Sequence, residues 1–214
     1  MAGLEGRVAI VTGGGTGIGK GIVRRLASAR CRLLVSAANS MVGAEKLRDE
    51  LRADGVEVEV VRADLRNPDA ARSIIASAVD TYGQLDILVN NAGFTLDEPF
   101  LDGTTARWQE IFNINLMSMI TASQDAARHM IEQGSGRIIN ISSVHGIVHM
   151  PGHAIYAATK GGINGFTRSL AVELAPHQVT CNVIAPGAIQ VDRYKAQNLE
   201  PRAVGAHIPM RRVG

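Results

Sequence analysis

Aromatic residues and cysteines are scarce in this chain. Only 4% of its 214 residues are Phe, Trp or Tyr, and the two cysteines are Cys31 and Cys181. Two cysteines so far apart form neither a metal-binding spacing nor a redox pair, so we expect buried apolar side chains in a reducing compartment. A core must therefore be built from aliphatic residues, which suffice because 46% of the chain is hydrophobic.

A large excess of one charge and long apolar runs are also missing. The net charge is only +2 with scattered Lys and Arg, so neither nucleic acid nor an anionic membrane is expected as a partner. No stretch approaches the roughly 18 apolar residues of a membrane span, and no signal-peptide pattern opens the chain. We expect one cytoplasmic domain covering residues 1–214.

Short apolar stretches alternate with helix-like stretches along the chain. The predicted strands are Arg7–Thr12, Arg32–Ser36, Glu57–Arg62, Leu85–Val89, Arg137–Ser142 and Val179–Ile184. The predicted helices are Gly17–Ala29, Met41–Ala53, Pro68–Tyr82, Thr104–Glu132 and His153–Ala175, and an irregular segment is expected from Pro186 onward. This alternation favours an α/β fold with a parallel sheet between two helical layers, which is the doubly wound Rossmann architecture.

Glycines are concentrated directly after the first predicted strand, where Thr12 to Gly19 has the sequence TGGGTGIG. Glycine permits positive φ and close approach of a pyrophosphate to the backbone, and the N-terminus of the following helix presents N–H groups to an anion. This context predicts nucleotide binding rather than a purely structural turn. The candidate residues are Thr12, Gly13, Gly15, Thr16, Gly17, Ile18 and Gly19.

A carboxylate is absent where the second predicted strand ends, in the sequence SAANS from Ser36 to Ser40. An acidic residue there would bind the ribose hydroxyls of NAD and repel the 2′-phosphate of NADP. Its absence favours NADP slightly over NAD, with Ser36 and Asn39 as the main neutral partners and Ser40 and Arg62 as further candidates. NAD is the alternative cofactor.

A serine, a tyrosine and a lysine form the candidate catalytic group. Tyr156 and Lys160 are four residues apart, so on a helix they share one face. A phenol donates protons poorly below pH ~10, and a fixed neighbouring ammonium favours the phenolate. Ser143 follows the predicted strand Arg137–Ser142 and delivers a hydroxyl to the same end of the sheet. These three side chains can polarise and protonate a carbonyl oxygen.

Together these motifs resemble those of the short-chain dehydrogenase/reductase family, in particular its 3-oxoacyl-ACP-reductase-like and glucose-dehydrogenase-like members. The resemblance covers nearly the whole chain. It rests on the glycine-rich turn, Asp64, the sequence NNAG from Asn90 to Gly93, Asn115, Ser143, the sequence YAATK from Tyr156 to Lys160, and Pro186-Gly187.

The resemblance implies hydride transfer between a nicotinamide cofactor and an alcohol or ketone. It makes Tyr156 the general acid or base, Lys160 the partner that binds the nicotinamide ribose, and Ser143 the hydrogen-bond donor to the substrate oxygen. Asn115 would hold a water that relays protons. The other implied cofactor contacts are Asp64 and Leu65 at the adenine, Asn91, Ala92 and Gly93 along the ribose, and Pro186, Gly187 and Ile189 around the nicotinamide.

Three departures from the family pattern stand out. Val191 replaces the usual threonine, and Arg30 replaces the usual glycine before the second strand. The sequence from Ile208 to Gly214 resembles the segment that precedes the family's last helix and last strand, so we expect both to be lacking here. The substrate-specificity segment is expected at 187–210, with Arg193, Tyr194 and Lys195 as polar candidates.

The preferred interpretation is an NAD(P)-dependent oxidoreductase acting on a 3-oxoacyl thioester, a sugar or a small secondary alcohol, and forming a homodimer or homotetramer. The alternative is a catalytically silent regulatory or scaffold protein on the same fold, since fold alone does not fix function. His145, His149 and His153 are spaced by four residues, but Gly146, Pro151 and Gly152 indicate a loop. We therefore expect no metal site and favour substrate-pocket lining for these histidines.

Overall fold

A computed structural model of the protein describes residues 3–191, 200–206 and 208–214. Within these ranges six strands form one sheet in the order β3-β2-β1-β4-β5-β6, and every neighbouring pair is parallel. The strands are β1 Val8–Thr12, β2 Arg32–Ala37, β3 Val58–Arg62, β4 Ile87–Asn90, β5 Gly136–Ile141 and β6 Val179–Ile184. The predicted α/β class and sheet architecture are confirmed.

Helices connect the strands and cover both faces of the sheet. They are α1 Gly17–Ser28, α2 Met41–Ala53, α3 Ala70–Tyr82, α4 Thr105–Phe112, α5 Ser118–Glu132, α6 Ala154–Leu174 and α7 Pro201–Gly205. The sheet is buried on both sides because alternate side chains of a strand point to opposite faces. In β1, Val8 and Ile10 pack with α3 and α5, whereas Ala9 and Val11 pack with α1 and α2.

The direction of the chain across the sheet changes between β1 and β4. β1, β2 and β3 follow one another outward, and the chain then returns to place β4 on the other side of β1. The chain then leads from β1 to α1 on one face of the sheet and from β4 to α5 on the other, so a crevice forms at the carboxyl ends of these strands. Doubly wound sheets bind ligands in such a crevice.

The predicted helix Thr104–Glu132 is interrupted. A π-helical segment, Asn113–Met117, lies between α4 and α5, and the backbone remains helical through both junctions. A π turn contains one more residue than an α turn, so it changes which side chains face the sheet without breaking the helix. Apolar periodicity does not detect an insertion of this kind.

Several other predicted boundaries differ from the structure by one or two residues. α3 begins at Ala70 rather than Pro68, because Asn67 Oδ1 accepts a hydrogen bond of 3.1 Å from the Asp69 main-chain N–H and holds a turn there. The prediction of an irregular segment from Pro186 onward is wrong for α7, whose first residue is a proline. Five residues are too few to show helical periodicity.

The predicted burial of both cysteines is confirmed. Cys31 is 1% exposed and Cys181 is 5% exposed, and both thiols are free. Burial raises the pKa of each thiol, that of Cys181 to about 11. Neither is therefore a reactive thiolate at neutral pH.

Among the described residues, no helix combines the length and the hydrophobicity needed to cross a membrane.

Candidate active site

A cavity of about 960 Å³ opens along the carboxyl edge of the sheet. This volume is within the range of small-molecule and cofactor sites. Most of the predicted site residues line it, although they come from widely separated parts of the chain. They are Gly13, Thr16, Gly17, Ile18, Gly19, Ser36, Asn39, Asp64, Leu65, Asn91, Ala92, Gly93, Ser143, Tyr156, Lys160, Pro186, Gly187 and Ile189.

Ser40 also lines the cavity, whereas the further candidate Arg62 is exposed and does not. The remaining predicted residues are buried behind the cavity wall, namely Thr12, Gly15 and Asn115. Thr12 Oγ1 accepts hydrogen bonds of 3.0 Å from the main-chain N–H groups of both Asn91 and Ala92, so it ties the end of β1 to the loop after β4. A Cβ on Gly15 would lie 2.6 Å from the Ser40 carbonyl oxygen. These residues support the wall of the cavity without lining it.

The glycine-rich turn has the geometry that its sequence predicts. Gly13 and Gly17 have φ of 65° and 53°, in the left-handed region. A Cβ on Gly13 would lie 2.9 Å from the Ala92 Cα atom, so only glycine permits this approach of the two loops. Thr16 caps α1 without a side-chain hydrogen bond to the first turn. Residues 16–19 line the cavity, so the N-terminus of α1 lies at its wall, which fits an anionic pyrophosphate.

Neutral side chains dominate the end of β2. Ser36 and Asn39 line the cavity there, and the nearest lining carboxylate, Asp64, follows β3. Both carboxylate oxygens of Asp64 accept hydrogen bonds of 3.0 Å from the Arg66 side chain. The Arg66 guanidinium holds the pKa of Asp64 at about 2. Asp64 is therefore ionised and engaged with its own neighbour.

The two serines after β5 have different environments. Ser142 Oγ donates a hydrogen bond of 3.0 Å to the Lys160 main-chain carbonyl and is buried, so its hydroxyl joins β5 to α6. Ser143 is also buried and both serines line the cavity, but Ser143 Oγ accepts a hydrogen bond of 3.2 Å from the His145 main-chain N–H. That bond leaves the Ser143 hydroxyl proton free to donate. The geometry supports the prediction of Ser143, not Ser142, as the substrate-facing hydroxyl.

Tyr156 and Lys160 lie one turn apart on α6 and both line the cavity. Lys160 Nζ is 5.7 Å from the centroid of the Tyr156 ring and donates a hydrogen bond of 2.9 Å to the Ile141 carbonyl. Lys160 is 5% exposed, and desolvation lowers the pKa of its ammonium to about 8. The structure thus brings the predicted pair together, with the cation fixed by the end of β5.

Asn115 lies in the π-helical segment and is 1% exposed. Its Oδ1 accepts from the Phe94 N–H, and its Nδ2 donates to the Phe94 carbonyl, both at 3.0 Å. A Cβ on Gly93 would lie 3.0 Å from Asn115 Oδ1 and 3.7 Å from Lys160 Nζ. Asn115 therefore fixes the loop after β4 beside the lysine ammonium.

Of the three loop histidines, His145 and His153 line the cavity and His149 lies outside its lining. The ring centroids of His145 and His153 are each 6.2 Å from that of Tyr156, and they are 5.1 Å from each other. His149 lines a second, smaller cavity that His153 also borders, and substrate-pocket lining stays a prediction for all three histidines. The equal spacing in sequence does not distinguish them, because the segment is not α-helical and contains only a short 3-10 turn at Val144–Gly146.

Several cavity residues were not predicted from the sequence. Phe94, Arg107, Glu110 and Ile114 line the cavity on the side of α4 and the loop after β4. Charged and apolar residues at these positions have the pattern of an ordinary amphipathic helix, so the sequence carries no signal for them. Arg193, Tyr194 and Lys195, for which substrate contact and simple exposure to solvent were both open with exposure favoured, lie outside the described residues.

The end of the chain returns to the cavity. The Gly214 N–H donates to the Ala188 carbonyl, and the Gln190 N–H donates to the Gly214 carbonyl, both at 2.9 Å. Val191, which stands where a threonine was expected, lies 3.5 Å from the position of a Cβ on Gly17. The segment after β6 is therefore held against the glycine-rich turn on one side and the final residues on the other.

Comparison with known proteins identifies relatives over the whole chain. The family model described as short chain dehydrogenase matches residues 7–202. A 3-oxoacyl-[acyl-carrier-protein] reductase of Synechocystis sp. is 38% identical over 100% of this chain and 86% of its own, and one of Vibrio cholerae is 40% identical over 99% and 85%. The crystal structure of an acetoin dehydrogenase from Enterobacter cloacae superposes with a TM-score of 0.89 and 37% identity, covering 97% of this chain and 82% of that one.

Proposed function

This chain belongs to the short-chain dehydrogenase family and is an oxidoreductase, and we propose that it transfers hydride between a nicotinamide dinucleotide and the carbon of an alcohol or ketone. The observation that carries the proposal is the position of Tyr156 and Lys160 in the same cavity as the glycine-rich turn. The relatives are named reductases and dehydrogenases, so the alternative of a silent scaffold protein has no support.

The glycine-rich turn and the N-terminus of α1 fit the pyrophosphate of such a cofactor, which supplies or accepts the hydride when bound. Tyr156 then gives a proton to the substrate oxygen in reduction and removes it in oxidation. Ser143 donates a hydrogen bond to the same oxygen. The buried Lys160 ammonium stabilises negative charge that develops on the phenol oxygen, because few water molecules screen it.

Asn115 stays a predicted proton-relay residue. Its amide is already bonded to the Phe94 main chain, and it also donates to Thr159 Oγ1 at 3.3 Å. These bonds support a positioning role for Asn115, which holds Gly93 and Phe94 at the cavity beside Lys160. The proposed relay and the positioning role are compatible, since both require Asn115 to be fixed.

Replacement of Tyr156 by Phe tests the mechanism. The substitution removes the proton donor while keeping the ring, so we expect cofactor binding to persist and turnover to fall about 10²- to 10⁴-fold. Turnover is measured by the absorbance of the reduced nicotinamide, and binding by its fluorescence. The control is Tyr82→Phe, which removes a phenol hydroxyl bonded to the Leu33 carbonyl, outside the cavity. Retained turnover in Tyr156→Phe would exclude the mechanism.

We further propose a preference for NADP over NAD. The support is the neutral surface at the end of β2, where Ser36 and Asn39 line the cavity, together with the engagement of Asp64 by Arg66. Asn39→Asp would place a carboxylate there and is expected to weaken NADPH binding more than NADH binding. Fluorescence titration of both proteins with both cofactors measures this. Tighter binding of NADH by the unaltered protein would refute the preference.

The substrate is proposed to be a small carbonyl or alcohol compound, such as a 3-oxoacyl thioester, a sugar or a secondary alcohol. The names of the relatives support the first and last of these classes, because they include 3-oxoacyl reductases and an acetoin dehydrogenase. We also propose a cytoplasmic homodimer or homotetramer. A turnover screen across the three classes, with the molar mass measured by light scattering, tests these points.

A further inference from the structure

A buried chain of polar side chains crosses the sheet and has no part in the proposed reaction. Asn90 ends β4 and Asn140 lies in β5, and the two residues are register partners. Asn90 Nδ2 donates to Asn140 Oδ1 at 2.8 Å, and Asn140 Nδ2 donates to Thr167 Oγ1 on α6 at 2.9 Å. Asn140 is 0% exposed and Thr167 is 2% exposed. Because a buried polar group without a partner is costly, burial favours the conformation in which all these bonds are made.

The direction of these hydrogen bonds follows from Thr167. Its hydroxyl has one proton, which it donates to the Ile163 carbonyl at 2.7 Å. Thr167 Oγ1 can therefore only accept from Asn140, so the Asn140 amide presents its NH2 group to α6 and its oxygen to Asn90. The same NH2 group lies 3.6 Å from Cys181 Sγ. The position of Thr167 is thus determined by a donor that belongs to the sheet.

A second hydrogen bond attaches α6 at the end of the same strand. Ser142 Oγ donates to the Lys160 carbonyl at 3.0 Å. Asn140 and Ser142 both reach α6, since residues two apart in an extended chain point to the same face. Lys160 and Thr167 are about two helical turns apart. Two separate attachment points fix the direction of α6 relative to β5, whereas a single point would allow the helix to pivot.

The catalytic tyrosine lies on the far side of this second attachment. Tyr156 precedes Lys160 by four residues, and Thr167 follows Lys160 by seven, which corresponds to about 6 Å and about 10 Å along the helix axis. If α6 pivots at Lys160, a displacement of Thr167 by about 1 Å moves the Tyr156 main chain by about 0.6 Å. Ser143 follows β5 and does not move with the helix. The distance between the Tyr156 and Ser143 hydroxyls would therefore change.

We infer that Asn140 and Thr167 are positioning residues for catalysis, because their hydrogen bond fixes α6 on β5 and so fixes the distance between the hydroxyls of Tyr156 and Ser143. Neither Asn140 nor Thr167 lines the cavity, so they act through α6 rather than by contact with substrate or cofactor. The inference rests on the proposed function, since it assigns these two residues a role in that reaction.

Thr167→Val tests the inference, because valine has the shape of threonine with a methyl group in place of the hydroxyl. A methyl carbon needs about 3.5–4.0 Å to a neighbouring heavy atom, but Asn140 Nδ2 lies only 2.9 Å from Thr167 Oγ1. The variant therefore displaces α6 from β5. We expect kcat to fall about 5- to 50-fold, and KM and the cofactor Kd to change by less than about threefold. Thr167→Ser keeps the hydroxyl and should restore kcat to within about threefold of the unaltered value.

The matched control is Ser123→Ala, at the other end of the same polar chain. Ser123 is 0% exposed on α5, and its Oγ accepts a hydrogen bond of 3.0 Å from Asn90 Nδ2. Both Ser123→Ala and Thr167→Val leave a buried amide hydrogen without a partner, so each should lower the Tm by about 2–8 °C. In an assay well below both Tm values, kcat of Ser123→Ala should stay within about twofold of the unaltered value, because α5 does not carry Tyr156.

Two kinetic results would overturn the inference. An equal fall of kcat in Ser123→Ala and Thr167→Val would show that the polar chain contributes to stability alone. A kcat that Thr167→Ser does not restore would show that the hydroxyl is not what positions α6. If Thr167→Val does not fold, Thr167→Ala removes the hydroxyl without adding a methyl group in its place. Its kcat should fall at least about threefold, and an unchanged kcat would likewise overturn the inference.

A distance measurement separates this inference from the proposed function. Crystal structures of the unaltered protein and of Thr167→Val give the distance between Tyr156 Oη and Ser143 Oγ, which should differ by about 0.5 Å or more. An equal distance in the two proteins would refute the positioning role even if the unaltered protein reduces ketones. A changed distance in a protein that turns over no alcohol or ketone would support the inferred control of α6 and refute the proposed reaction alone.

Discussion

Arg30 adopts a backbone conformation that favours glycine. Its φ is 60°, its side chain is exposed, and it lies in the turn between α1 and β2. The main chain is fixed on both sides, because the Arg30 N–H donates to the Ala27 carbonyl at 2.9 Å and the Arg30 carbonyl accepts from the Gly6 N–H at 2.9 Å. A Cβ in this left-handed region clashes with the neighbouring main chain, and glycine does not have one.

We expect Arg30→Gly to raise the free energy of unfolding by about 0.5–1 kcal/mol. The relief of strain exceeds the extra entropy that glycine gives the unfolded chain. The control is Arg30→Ala, which also removes the guanidinium contact of 3.4 Å to the Asp54 carbonyl but keeps the Cβ. Urea unfolding compares the three proteins, and a glycine variant no more stable than the alanine variant would contradict the strain argument.

At the scale of elements, the glycine-rich turn depends on the loop after β4. Asn91 Nδ2 donates to the carbonyls of both Thr12 and Gly13, at 2.9 and 3.1 Å. A Cβ on Gly19 would lie 2.3 Å from the Gly13 oxygen and 2.5 Å from Asn91 Nδ2. The first turn of α1 therefore packs directly on this contact between the two loops.

Gly19→Ala should displace Asn91 and open the turn. We expect cofactor affinity to fall at least about tenfold and the free energy of unfolding to fall by about 1–3 kcal/mol. The matched control is Gly21→Ala in the same helix, where a Cβ would have no atom within 4 Å. That variant should bind cofactor normally and gain about 0.5–1 kcal/mol from helix propensity. Equal cofactor affinity in the two variants would disprove the dependence on this contact.

The sequence predicts those elements whose signal is local. Apolar stretches located all six strands, and a spacing of four residues placed Tyr156 and Lys160 on one helix face. The features that the sequence does not predict depend on contacts between residues that are far apart in the chain. Thr12 Oγ1 bonds the Asn91 N–H, 79 residues away, and Lys160 bonds the Ile141 carbonyl. No periodicity encodes such contacts, since they arise only when the strands are assembled into the sheet.

The π-helical segment shows the same limit within one element. Helical periodicity continues through Asn113–Met117, so the sequence predicts one uninterrupted helix. Asn115 lies inside this segment and bonds the Phe94 main chain in the loop after β4, a contact that helical periodicity does not encode. The resemblance to a known family identified Asn115 as a site residue, whereas its local structure followed only from the assembled fold.

For the whole molecule, Lys160 connects the active site to global stability. Burial lowers the pKa of its ammonium from 10.5 to about 8. Between these pH values the folded protein has released a proton that the unfolded chain still binds, so the stability of the fold increases as the pH rises. Below about pH 8 the buried charge destabilises the folded state fully, by about 3 kcal/mol for a pKa difference of this size.

Lys160→Met removes this titration while keeping an apolar chain of similar length. We expect the free energy of unfolding of the variant, minus that of the unaltered protein, to decrease by about 3 kcal/mol between neutral pH and about pH 10.5. The Ile141 carbonyl loses its hydrogen-bond partner in the variant at every pH. The free-energy cost of that loss is therefore constant and does not contribute to the predicted change with pH. The control is Lys46→Met, which removes an exposed lysine on α2 and should give a difference that does not vary with pH. Urea unfolding across the same pH range measures both differences. A difference for Lys160→Met that does not change with pH would show that the Lys160 ammonium is solvated in the folded protein. A solvated ammonium would not stabilise charge on the Tyr156 oxygen as the proposed mechanism requires.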